Sequence, residues 1–151
     1  ELIKKISQDF CKNIKNNNQK SLLFTGNTGL GKTFISNCIT KDVIDQGMNV
    51  VYQTSPILMD QILDYKFSYD KTESQKEKYN RIFNVDLLII DDLGTETMNN
   101  NKFTELFNII NTTYGAPKQQ NFNSNDSNIY FRTALYYCTM GDRRDFYKAC
   151  C

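Results

Sequence analysis

Leu22-Leu23-Phe24-Thr25-Gly26-Asn27-Thr28-Gly29-Leu30-Gly31-Lys32-Thr33 decides how the rest of the chain is read. Its second half fits G-x-x-x-x-G-K-[ST], and its first half is a short apolar run of the kind that forms a buried strand. Behind it, Ile35, Cys38, Ile39 and Val43 recur at helical spacing as far as Gly47, a residue able to take the left-handed conformation that ends helices. A glycine-rich turn between strand and helix is the setting a phosphate-binding loop requires. Gly26, Gly29 and Gly31, with Asn27, Thr28 and Leu30 between them, let the backbone turn so that successive N–H groups face a polyphosphate. The helix N-terminus adds the positive end of its dipole. Lys32 is then placed for the β- and γ-phosphates of a nucleotide such as ATP, and Thr33 offers a hydroxyl to Mg²⁺, an ion that keeps most of its octahedral shell as water and phosphate oxygen.

Two further apolar runs, Val50 to Thr54 and Leu87 to Ile90, are each followed by polar or turn residues and then by a helical pattern. Strand and helix alternate, so the fold class is α/β with a parallel sheet and flanking helices, and the first βαβ unit closes by residue 54. Ser55 and Pro56 read as an N-cap and a first-turn proline, with Ile57, Leu58, Ile62 and Leu63 as an apolar stripe behind them that fades near Phe67. Residues 68–80 are polar and mixed in charge, consistent with either a loop or a solvent-facing helix. Phe103, Leu106, Phe107 and Ile110 mark one more amphipathic helix.

The third strand runs directly into Asp91-Asp92, two acids at the carboxyl edge of the sheet, where α/β folds bind ligands. Asp91 is the expected Mg²⁺ partner. Asp92, one residue further, is the expected group to orient or deprotonate a water attacking the γ-phosphate. Taken alone, an acid pair can equally be a strand cap; its combination with the phosphate loop favours the catalytic reading.

Composition removes several other chemistries. The chain of 151 residues, 40% hydrophobic, suffices for one core, and its 18 Lys plus Arg against 17 Asp plus Glu exclude a strongly basic nucleic-acid protein. Lys4, Lys5, Lys12, Lys15 and Lys20 form a local basic stretch that reads as a solvated helix face. With no His, the His-dependent triads and ordinary zinc sites cannot be assembled. The five cysteines, Cys11, Cys38, Cys138, Cys150 and Cys151, show no metal-ligand spacing and fit a reducing, cytoplasmic setting. No run reaches the roughly 18 apolar residues of a membrane span, so a soluble chain cut from something longer is expected.

The segments GNTGLGKTF, VVYQTSPIL, FNVDLLIIDDLGTE and ELFNIINT resemble the AAA+ ATPase domain of bacterial replicative helicase loaders of the DnaC and DnaI type, and of the similar IstB transposition helpers. The resemblance covers about residues 7–114, and the long acid-strand segment with Gly94-Thr95-Glu96 is its most specific part. It implies an ATP- and Mg²⁺-dependent protein that works with a replicative DNA helicase and single-stranded DNA through nucleotide-controlled assembly, with a homo-oligomer as one form. It also implies a sheet order similar to 5-1-4-3-2, in which the strand after the acid pair inserts between the phosphate-loop strand and the acid strand. Asp92 departs from the usual Glu of AAA+ enzymes by one methylene. A transposition helper, a nucleotide-responsive binding module with little hydrolysis and a small-molecule kinase all remain open; no Arg-rich kinase lid is apparent.

From Gly115 the pattern changes. Gly115-Ala116-Pro117-Lys118-Gln119-Gln120 stands where the resemblance calls for the fourth strand, and it is no buried strand. The expected division is an ATPase core over 1–114 and an atypical tail over 115–151. Either Ile129 to Phe131 or Ala134 to Thr139 fills the gap after a long loop, or the tail is truncated or frame-shifted and the fold is incomplete at that end. Arg132, Arg143 and Arg144 read as surface charge, and no sensor or arginine finger is assigned. Tyr52, Tyr65, Tyr69 and Tyr79, with the lysines of residues 66–78, are candidates for stacking on bases and meeting phosphates.

Overall fold

The computed structural model describes residues 1–15, 21–93, 99–114 and 132–138, with 112–114 and 132–138 as backbone alone. Gly94-Thr95-Glu96, the 115–131 stretch, Lys20, Arg143, Arg144, Cys150 and Cys151 lie outside the described residues. The elements are α1 (Leu2–Asn13), β1 (Leu22–Gly26), α2 (Lys32–Asp45), β2 (Val50–Thr54), α3 (Ser55–Phe67), α4 (Glu73–Phe83), β3 (Leu87–Leu93), α5 (Asn100–Tyr114) and β4 (Arg132–Cys138).

Four parallel strands form one sheet in the order β1-β4-β3-β2. The 1-4-3-2 part of the order implied by the resemblance is therefore present, and its fourth strand comes from Arg132–Cys138. Of the two stretches proposed to fill the gap, the one beginning at Ala134 overlaps β4. The apolar and aromatic run Ala134-Leu135-Tyr136-Tyr137-Cys138 suits a strand with a neighbour on either side. Leu22 to Gly26 align with Ala134 to Cys138, and Leu87 to Ile90 with Arg132 to Leu135, so the centre of the sheet is filled between the phosphate-loop strand and the acid strand.

The faces follow from the two-residue period of a strand. Leu87 and Ile89 pack with Phe10, Cys11 and Ile14 at α1 and with Ile39 and Val43 of α2. Leu88 and Ile90 pack on the other side with Leu58, Met59 and Ile62 of α3, Ile82 of α4, and Leu106 and Ile109 of α5. Helices thus cover both faces, and β3 is buried along nearly its whole length, which explains why its sequence reads as continuously apolar. Fixing the register at the start of this layer, Asn49 N–H donates to Asp86 Oδ2 at 2.8 Å, and Asn49 O accepts from Leu87 N–H at 3.2 Å.

Several local readings need adjustment. α3 starts at Ser55 with Thr54 as N-cap, one residue earlier than the Ser-Pro signal suggests. Its buried residues include Met59, whereas Ile57 is exposed, and in α5 Leu106 and Ile109 are buried while Phe103 and Phe107 face outward. Of the two readings open for residues 68–80, the solvent-facing helix holds, as α4 over residues 73–83. Its start is a capping box: Gln75 N–H donates to Thr72 Oγ1 at 3.2 Å and Thr72 N–H to Gln75 Oε1 at 3.0 Å. Two ion pairs tie α3 to α5, Lys66 to the buried Glu105 at 2.6 Å and Lys102 to Asp60 at 3.1 Å. Lys4, Lys5, Lys12 and Lys15 are exposed, as a solvated helix face requires. Among the described residues, no helix is long and apolar enough to cross a membrane.

Candidate functional site

Because the strands are parallel, Gly26, Thr54, Leu93 and Cys138 all end at one edge of the sheet. The glycine-rich loop leaves β1 at that edge and the acid pair lies at the end of β3 there, one strand apart across β4.

The loop is shaped by its glycines. Gly29 and Gly31 have φ of 80° and 84°, left-handed values that cost an L side chain about 1–2 kcal/mol. Gly31 is also the N-cap of α2 and has no side chain with which to satisfy the first N–H groups of that helix, which leaves them directed at whatever lies beyond the helix end. Lys32 Nζ donates to Gly26 O at 3.0 Å and to Asn27 O at 2.8 Å, so the ammonium lies across the mouth of the loop. Thr33 follows on the first turn of α2 and is exposed, as are Asn27, Thr28 and Leu30.

The acid end is built differently. Asp91 is only 5% exposed, and each of its carboxylate oxygens accepts a hydrogen bond. Oδ1 accepts from the Asp92 backbone N–H at 2.9 Å, and Oδ2 accepts from the Tyr52 hydroxyl. Asp92 has φ of 54°, a left-handed conformation that Asp tolerates better than most residues. The reason is visible in the register. Ile90 aligns with Leu135 and Leu93 with Tyr137, so β3 carries one residue more than β4 over this interval, a β-bulge. The extra residue shifts the alternation: Leu93 joins the core on the Leu88 and Ile90 side, Asp92 turns out to solvent, and Asp91 remains buried on the side of Tyr52.

Of the sequence-marked residues, the fold gathers Gly26 to Thr33 at one end of β1, and Asp91 and Asp92 at the end of β3. Their chemistry suits a polyphosphate with its cation: N–H groups and an ammonium on one side, one carboxylate and one hydroxyl as hard oxygen donors. Among the described residues there is no cluster of three or more acidic, Cys or His ligands that would hold a metal by protein groups alone. The oxygen donors of Asp91 and Thr33 are of the hard type that suits Mg²⁺ carried in on phosphate oxygens.

Sequence reasoning missed Tyr52 at this site. Tyr65 and Tyr79 stack on each other with centroids 4.3 Å apart, Tyr79 also meets Phe83, and Lys71 lies 4.7 Å from the Tyr65 ring centre. Of the four tyrosines considered for base stacking, Tyr69 is the fully exposed one. No residue-type pattern distinguishes these cases; pairing across strands and helices does.

A parallel sheet covered on both faces, with a glycine-rich loop after its first strand and an acid pair at the carboxyl end of its third, is the AAA+ type of P-loop fold. The family described as IstB-like ATP binding protein matches residues 4–120, and the chain belongs to that family. The ATP-binding protein of insertion sequence IS1162 from Pseudomonas fluorescens is 32% identical over 98 residues, 64% of this chain and 40% of that protein. The replicative helicase loader DnaC of Buchnera aphidicola is 31% identical over 90 residues, 60% of this chain and 36% of the loader. The chain thus spans less than half the length of these relatives. Among solved structures, the DnaC helicase loader superposes with a TM-score of 0.66 at 19% identity, covering 96% of this chain and 73% of that one. The replication initiator DnaA bound to AMPPCP and single-stranded DNA gives 0.66 at 19% identity, covering 93% and 40%.

Proposed function

We propose that the chain is the ATP-binding and ATPase domain of a DNA replication helicase loader, working in the cytoplasm with a replicative helicase and single-stranded DNA and assembling under nucleotide control. The observation that carries the nucleotide part is the arrival of loop and acid pair at one sheet edge on either side of β4. Similarity to DnaC loaders, and the likeness in fold to a DnaA that binds AMPPCP and single-stranded DNA, support the replication part.

In this reading the backbone N–H groups of Gly29 to Lys32 bind the polyphosphate of ATP, and Lys32 exchanges its two loop carbonyls for β- and γ-phosphate oxygens. Asn27, Thr28 and Leu30 complete the loop around it. Thr33 and Asp91 hold Mg²⁺, which when bound supplies charge neutralisation for the phosphates. Asp92, exposed at the bulge, orients the attacking water and takes its proton. Glu is the commoner choice in AAA+ enzymes, and the shorter Asp side chain makes Asp92 an inefficient water-positioning group. A transposition helper ATPase is the second reading, favoured by the IS1162 relative.

Calorimetry of Mg-ATP binding to the chain and to Lys32→Ala tests the site. Removing a charge-assisted contact should weaken binding by about 10- to 100-fold; equal affinity in the two chains would refute it. Single-turnover hydrolysis stimulated by single-stranded DNA together with a replicative helicase supports the loader. Stimulation that requires a transposase instead transfers the domain to the second reading.

A further inference from the structure

We propose that Tyr52 is a positioning residue for Asp91, fixing the carboxylate in the orientation in which it receives the nucleotide-borne cation; this rests on the reading of Asp91 given above. Polar oxygens as buried as those of Asp91 cost free energy unless hydrogen-bond donors meet them. The backbone N–H of Asp92 supplies one, a contact between adjacent residues made where the bulge turns the chain. The second donor comes from another strand, 39 residues earlier.

Tyr52 pairs with Ile89 in the β2–β3 register, two residues before Asp91. That separation is about 6.6 Å along the strand, a span that a phenol hydroxyl crosses and a Ser or Thr hydroxyl does not. Tyr52 packs on the side of the sheet covered by α1 and α2, the side on which Asp91 is buried. With one donor on each oxygen, rotation about the Asp91 Cβ–Cγ bond would break both hydrogen bonds, so the carboxylate plane is set. Each ionised oxygen has two acceptor sites, so both oxygens retain one for a metal ion or its water. Supporting hydrogen bonds of this kind typically change metal affinity or activity by 10- to 100-fold when removed.

The test is ATP binding by the whole chain and by Tyr52→Phe, measured calorimetrically in EDTA and across a Mg²⁺ series, with circular dichroism to confirm folding. Tyr52→Phe should bind ATP in EDTA within about twofold of the parent, while the Mg²⁺ concentration giving half of the metal-dependent gain rises by about tenfold. In an Asp91→Asn background the same substitution should add nothing, since the group it acts through has lost its charge. An unchanged Mg²⁺ requirement, an equal loss with and without metal, or an effect that persists beside Asp91→Asn would each overturn the proposal. Should Tyr52→Phe fail to fold, the ¹³Cζ resonance of Tyr52 in the parent chain carries the test. It should shift when Mg²⁺ is added to the ATP complex, and an unmoved resonance overturns the assignment. If Asp91→Asn alone leaves the Mg²⁺ requirement unchanged, the reading of Asp91 fails and takes the proposal with it. Failure confined to Tyr52 leaves that reading standing.

Discussion

The end of β1 and the end of β3 meet the same edge of one sheet, yet interactions of different range hold them. At the β1 end everything is local. Gly29 and Gly31 adopt left-handed backbone within the loop itself, and Lys32 reaches carbonyls only five and six residues back. At the β3 end the decisive contacts are distant: Tyr52 comes from β2, the bulge exists only against β4, and Asp91 is buried because helices cover both faces of its strand. A sequence can therefore specify the first site almost by composition and spacing, while the second is assembled only when the sheet is. The two ends should accordingly respond differently to substitution.

Asp92→Asn offers the sharpest separation and the largest effect. It keeps an amino acid that accepts left-handed backbone and removes the charge, so ATP binding should be retained while any turnover is lost. Single-turnover hydrolysis checks this, and unchanged hydrolysis would remove Asp92 from the mechanism. Next in size, Ile89→Ala deletes a fully buried side chain between α1, α2 and the acid strand. It should destabilise the fold by about 2–5 kcal/mol in denaturant titration. Any equally large loss from a substitution in the phosphate loop would break the contrast between local and distant support.

Gly31→Ala makes that contrast quantitative. An added Cβ meets nothing within 4 Å, so the cost is backbone strain alone, about 1–2 kcal/mol. Thermal melting should show that modest change. A smaller effect is expected at Cys11. Burial first, then the charge of Asp42, pushes its thiol up from 9.0 to about 11. The fold thus favours the neutral thiol, so its contribution to stability is complete below about pH 9 and is lost as pH rises through 11. Alkylation at pH 8 should label the exposed Cys38 and spare Cys11 until the chain unfolds.

Much of this architecture was legible in advance. The three apolar runs became β1, β2 and β3, because parallel strands covered on both faces need little else to be recognised. For residues 68–80, where polar composition leaves loop and solvent-facing helix open, Thr72-x-x-Gln75 is the signal that favours the helix, since it forms a capping box. The apolar stripes include Ile57, Phe103 and Phe107, which are exposed, while Met59 and Ile109 are buried. Periodicity finds a helix more reliably than it fixes which way the helix is turned, because that angle is set by the partner it packs against. The central strand was the hardest to place: its sequence competes with a neighbouring apolar stretch, and only the gap between β1 and β3 selects Arg132–Cys138.

By itself, the sequence determined the glycine-rich loop, the acid pair and the α/β alternation, all of which are carried by glycine conformation, side-chain chemistry and hydrophobic period over a few residues. Tertiary structure alone decided that β4 stands between the two motifs, that a bulge sends Asp92 outward while Asp91 stays buried, and that Tyr52 donates to Asp91. Those outcomes depend on strand register and on which face a side chain meets, and both are settled by pairing between segments far apart in the chain.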